Sequence, residues 1–202
     1  MFGESIIIVI TILILSVVIH EVAHGYAALW LGDTTALRAG RLTLNPIKHL
    51  DMLGSIILPT IMALLPGSLI FGWAKPVPYN PYNLKNRRWG ELLVAIAGPI
   101  SNILLAIIFG LFVQFFGGTV AAIEIAFLII QINVALAIFN LVPIPPLDGS
   151  KIVFALFPEK AAQLRATLER FGFFALLLFV FFFSSILGPI ISFTTRFLTG
   201  TL

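Results

Sequence analysis

Apolar residues fall into long blocks separated by short polar loops. Residues 5–31 carry a single formal charge, Glu21, and end at Gly32-Asp33. Residues 91–116 and 119–142 are two more apolar blocks, divided by Gly117-Gly118, and residues 171–193 form another. Each is longer than the roughly 20 apolar residues that cross a bilayer as a helix. Residues 52–71 are also apolar, but Gly54, Pro59, Pro66 and Gly67 interrupt them. Such breaks disfavour a straight crossing helix. Arg41-Leu42-Thr43-Leu44 alternates and stops at Asn45-Pro46, which reads as a short strand. Residues 72–80 contain Pro76 and Pro78, which exclude helix and favour extended backbone. Residues 150–170 form a short amphipathic stretch. The pattern predicts an all-α membrane protein, a polytopic bundle in one domain over residues 1–202. It has four membrane-crossing helices, one re-entrant or surface apolar segment at 52–71, and short extended segments near 41–44 and 72–80.

Composition agrees. The chain is 59% hydrophobic and 10% charged, a multi-pass profile and not that of a globular domain. It has no cysteine, so disulfides and thiolate metal sites are excluded and any metal must use histidine and carboxylate. The net charge of +3 is small, and Lys and Arg concentrate in loops. That is a topology signal and not a nucleic-acid footprint. The first block has no basic start and no small-residue cleavage site, so it reads as a membrane helix and not a secretory signal.

The loops at 33–51, 72–90 and 150–170 are all basic. The positive-inside rule puts all three in the cytoplasm. Segment 52–71 then cannot cross; it dips in and returns, or lies at the surface. Block 91–116 runs outward and 119–142 returns, which brings Asp148 to the face where the first block ends.

His20-Glu21-Val22-Ala23-His24 lies in the first block, roughly 10–17 Å from its C-terminal end as a helix. Imidazoles four residues apart share one helix face, a spacing that suits two zinc ligands. Glu21 can act as general base on a zinc-bound water. Ionisable groups at membrane depth are costly and usually functional. Catalytic zinc takes three protein ligands and keeps one open position. Asp148 is the best third ligand, because the break Asn140-Leu141-Val142-Pro143-Ile144-Pro145-Pro146-Leu147 can aim it inward. His49, Asp51 and Glu124 are its rivals.

HEVAHG near one helix end and NLVPIPPLDG far downstream resemble the site-2 protease family of intramembrane zinc metalloproteases. The resemblance extends to Gly40–Pro46, to Gly72–Pro78 and to Gly98-Pro99-Ile100-Ser101-Asn102. It implies one zinc ion held by His20, His24 and Asp148, with Glu21 as catalytic base. It also implies Asn102 and Asn140 as substrate or oxyanion contacts. Larger members carry PDZ or CBS domains, which this sequence does not show.

The leading expectation is an intramembrane zinc endopeptidase in the cell membrane. It would cut peptide bonds within or near transmembrane segments of membrane-protein substrates, with its site nearer the cytoplasmic face. Its partners are those substrates and the lipid bilayer. The alternatives are a membrane metal-ion transporter and an inactive membrane scaffold.

Overall fold

The computed structural model describes residues 2–57, 61 and 72–201. Among the described residues, three helices are long and apolar enough to cross a membrane: Ile6–Trp30, Arg87–Phe115 and Val120–Asn140. They belong to α1 (Phe2–Trp30), α3 (Arg87–Phe115) and α4 (Val120–Asn140). A short α2 (Thr35–Arg38) follows α1, α5 spans Asp148–Leu156, and α6 spans Pro158–Thr199. Among the described residues there is no β-strand. Residues 41–44, with a bend at Thr43, and residues 72–80 pair in no ladder; their backbone groups bond to side chains and loops instead.

Local chemistry sets the helix ends. Asn86 caps α3 by accepting from the Trp89 amide at 3.1 Å, and Thr119 caps α4 through the Ala122 amide at 3.3 Å. Each satisfies a backbone donor that the first helical turn leaves without a partner. Gly117 and Gly118, both at positive φ (60° and 152°), turn the chain between α3 and α4. An L side chain rarely adopts either conformation. The stretch expected as one amphipathic piece, 150–170, is divided. Pro158 pushes Phe157 out of helical backbone (φ −124°, ψ 62°), so α5 ends and α6 begins there.

α6 therefore starts well before residue 171, and it bends by 72° between Phe182 and Ser185. Pro189 lacks the N–H that would bond the Ser185 carbonyl and crowds that turn. The two ends of α6 lie at opposite ends of the bundle. Backbone at Gly172 lies against Pro145, whereas the Leu198 carbonyl accepts from Gln114 near the end of α3 at 2.8 Å. Counted as one span, the bent pair makes a fourth candidate crossing, the number that the apolar blocks predict.

The polar loops gather at one end. The Lys85 amide donates to the Leu31 carbonyl at 2.9 Å. Buried Asp33 accepts from the Asn80 amide at 2.6 Å and from Asn83 Nδ2 at 2.8 Å. Burial pushes the Asp33 carboxyl up, but bonds from Thr35, Asn83 and Asn80 outweigh it and hold the group below the usual carboxylate range. Arg88 donates to the carbonyls of Ala155 (2.7 Å) and Leu156 (3.0 Å), capping α5. The chain therefore leaves α1 and enters α3 at the same end, so the residues between make no net crossing. Gly54 and Trp73 sit side by side, joined by a 3.1 Å backbone bond. Of segment 52–71, Met52–Ile57 forms a wide helical turn. The expected dip beyond it lies outside the described residues, apart from Ile61.

Small residues bring the crossing helices close. Ala106 on α3 packs on Ile130 and Val134 of α4, and Ala28 of α1 packs on Val94 of α3. Side-chain size limits how near two helices approach, and small residues favour tight packing in a bilayer.

Candidate metal centre

Ser16, His20 and His24 recur every four residues along α1, so all three face the bundle and all are buried. α5 begins at Asp148 and points its carboxylate at the same place. Asp148 Oδ2 lies 3.2 Å from His20 Nε2 and 3.0 Å from His24 Nε2, and the two Nε2 atoms are 3.0 Å apart. Among the described residues, this is the one group of His and acidic side chains placed to hold a metal. Two ligands about 2.0–2.1 Å from one tetrahedral ion stand roughly 3.3 Å apart, close to these spacings.

The other ring nitrogens decide whether a cation fits. His20 Nδ1 meets Asn102 Oδ1 at 2.6 Å, and His24 Nδ1 meets the Val94 carbonyl at 2.6 Å. Both partners are acceptors, so each Nδ1 carries a proton and each Nε2 presents a lone pair. Two lone pairs and a carboxylate oxygen then converge, an arrangement that a cation between them stabilises. The donor set of two imidazoles and one carboxylate suits zinc.

Gly98 also brings backbone of α3 against the cluster. A Cβ there would overlap the Nε2 atoms of His24 and His20. Only glycine leaves those nitrogens free. Gly98 opens the Gly98-Pro99-Ile100-Ser101-Asn102 motif, so that motif borders the cluster.

Glu21, next to His20 in the chain, is half-buried. Its Oε2 accepts from the Val77 amide at 2.7 Å. Pro76 and Pro78 have no N–H, so Val77 supplies the lone donor of residues 76–78. Buried Arg41 fixes this segment through the carbonyls of Lys75 (2.7 Å) and Pro76 (3.3 Å). The amides of Trp73, Lys75, Val77 and Asn80 all bond inward. Lys151 completes the surroundings, donating to Asp148 Oδ1 at 3.1 Å, on the opposite oxygen from the histidines.

The rival third ligands sit elsewhere. His49 is buried and donates to the Thr43 carbonyl at 2.9 Å. Asp51 caps the turn at Leu53 and Gly54, and Glu124 is exposed near the start of α4. Asn102 is fully buried, with both ends of its amide engaged, while Asn140 donates to the Leu136 carbonyl of its own helix at 3.0 Å. Sequence reasoning missed Ser16 and Asn133 as neighbours of the site. The four-residue spacing of Ser16 from His20 was the available signal.

A helical membrane protein with a buried His-His-Asp cluster beside a glutamate defines the class: a membrane-embedded metallohydrolase. The sequence profile of Peptidase family M50 matches residues 118–183. The "Putative zinc metalloprotease YwhC" of Bacillus subtilis is 43% identical over 179 residues, covering 83% of this chain and 78% of that protein. Rip2 of Mycolicibacterium smegmatis, under the same designation, is 31% identical over 83% of this chain and 64% of its own length. Zinc metalloprotease MJ0392 of Methanocaldococcus jannaschii is 26% identical over 77% of this chain and 36% of its own. No solved structure matches. The chain belongs to peptidase family M50, the site-2 protease family of zinc metalloproteases.

Proposed function

We propose that this protein is an intramembrane zinc endopeptidase that hydrolyses peptide bonds within or near transmembrane segments of membrane proteins. The observation that carries the reading is the convergence of His20, His24 and Asp148, buried in the bundle, next to Glu21. Those three residues would hold one zinc ion. Bound there, zinc supplies a Lewis acid that brings the pKa of water toward about 7. Glu21 takes the water proton and delivers it to the leaving amine. The Val77 amide holds one oxygen of its carboxylate and leaves the other for that transfer. Asn140 closes α4 a short loop before Asp148 and serves as contact to the substrate carbonyl. Asn102 spends both its amide groups inside the bundle and serves His20 instead.

A helical substrate hides its carbonyls in backbone hydrogen bonds, so it unwinds before it is cut. The 73–80 segment borders Glu21 and receives the opened chain. Its amides at 73, 75, 77 and 80 are already bonded, as are the carbonyls of Trp73, Lys75 and Pro76, so it offers the substrate less than a full strand ladder. The three basic loops meet at one end of the bundle, which supports a cell-membrane protein with its site nearer the cytoplasmic face. Metal transport needs polar groups leading to the far face. The polar groups deeper in the bundle, Asn102, Asn133 and Ser16, are at most 4% exposed and bond to one another.

Glu21→Gln tests the reading. The variant retains zinc and loses cleavage of a membrane substrate by about 10²–10⁴-fold. Cleavage at the wild-type rate would overturn the protease assignment. Metal uptake into vesicles that persists in the variant would point to transport.

A further inference from the structure

Beyond the ligands, a buried polar chain runs across three helices. His20 Nδ1 donates to Asn102 Oδ1 at 2.6 Å. Asn102 Nδ2 donates to Asn133 Oδ1 at 2.8 Å and reaches the Ser16 carbonyl at 3.5 Å. Asn133 Nδ2 donates to Ser16 Oγ at 2.9 Å and to the Ile129 carbonyl at 2.9 Å. The chain starts on α1 at His20, passes through α3 and α4, and returns to α1 at Ser16. Asn102 and Asn133 are wholly buried and Ser16 is 4% exposed.

We propose that Asn133, backed by Ser16, is a positioning residue for the metal ligand His20 and acts on it through Asn102. The inference rests on the zinc-site reading above. Its logic is the polarity of the bonds. A histidine that gives Nε2 to a metal must be protonated on Nδ1, so the atom facing it must be an acceptor. Asn102 can present its oxygen to His20 only if its nitrogen has an acceptor on the other side. Asn133 supplies that acceptor. Asn133 in turn keeps its oxygen toward Asn102 because Ser16 and Ile129 accept from its nitrogen. Each amide thus fixes the orientation of the next, and the series ends in one ring orientation and one tautomer of His20.

Without Asn133, the amide of Asn102 can rotate and present its nitrogen to His20. Nδ1 would then accept, the proton would move to Nε2, and the ring could not ligate. Apolar packing alone predicts none of this dependence on polarity.

The test uses the purified full chain in detergent, with zinc affinity read by chelator competition and cobalt(II) binding read by its visible absorption. Asn133→Leu should bind zinc about 10–100-fold more weakly than wild type and shift the cobalt bands. Asn133→Asp should recover most of the affinity and the wild-type spectrum. A buried neutral acid has one O–H donor and one acceptor oxygen, the same polarity as the amide. Wild-type affinity and spectrum in Asn133→Leu would overturn the proposal, as would an Asp variant no better than the Leu variant. If the leucine variant does not fold, ¹⁵N labelling of histidine in the wild-type protein decides. His20 protonated on Nδ1 before metal is added supports the proposal, and protonation on Nε2 overturns it. Wild-type protein that takes up neither zinc nor cobalt would sink the metal reading itself, a different result from a variant that matches wild type.

Discussion

His20 and Glu21 are adjacent in the chain but turn to opposite supports. His20 faces the bundle, where Asn102 of α3 bonds its Nδ1 and is itself bonded by Asn133 of α4, and all three are buried. Glu21 faces a loop, where one backbone amide holds it and an arginine holds that backbone. The first support is built from amide side chains on rigid helices, so single substitutions can dismantle it. The second is main chain, which tolerates most side-chain changes and fails when an N–H is removed. Ligands need fixed geometry, whereas a base beside an incoming peptide needs a boundary that can meet varied side chains.

The sharpest way to break the comparison is Gly98→Val on the bundle side. Its Cβ would press on the Nε2 atoms of both histidines. Metal analysis of the purified variant should show zinc lost altogether, and activity with it. Retained zinc would mean that the bundle side yields more than its burial implies.

Val77→Pro attacks the loop side alone. It removes the donor to Glu21 while leaving the ligands untouched. Zinc content should stay at wild-type level while kcat falls by roughly 10–100-fold, a partial loss of general-base efficiency. Unchanged turnover would show that Glu21 needs no holding.

Arg41→Lys is milder. Lysine keeps the charge but loses the planar fork that reaches two successive carbonyls. A fall of about 3–10-fold in kcat/KM is expected at unchanged zinc affinity, since the contact is remote from the ligands.

Asp33→Asn gives the smallest effect on chemistry and reads out in stability. The native carboxyl is held below its usual range, so the unfolded chain binds its proton more readily. The stabilisation is present above about pH 4 and is lost as pH falls through the lower native value. Thermal unfolding should show the wild type losing stability in acid, and the variant showing a flatter profile. At neutral pH the variant should be about 1–2 kcal/mol less stable, the scale of a hydrogen bond to a charged group.

Much of this was legible along the chain. The apolar blocks mark the crossings, and the basic loops imply that 33–90 makes no net passage, which the Asp33–Asn80 and Leu31–Lys85 bonds bear out. HEVAH and a distant aspartate name a cluster that the fold brings together within hydrogen-bond distance. Asn133 was not legible, because it is one of three amides in its apolar helix, with Gln131 and Asn140, and an amide there signals a buried partner without naming it. Only the packing of α1, α3 and α4 pairs it with Ser16 and Asn102. The division at Phe157 was readable from Pro158 but was masked by amphipathic character on both sides. Val77 was hidden for a different reason: its side chain says nothing, and its role belongs to an amide singled out by the prolines around it.

Those prolines have a further effect on neighbouring molecules. In a crowded bilayer, an extended stretch with free amides would recruit a second copy of itself, strand against strand. Here two positions have no hydrogen to offer, and the amides at 73, 75, 77 and 80 are already committed at home. This segment is therefore a poor seed for self-association.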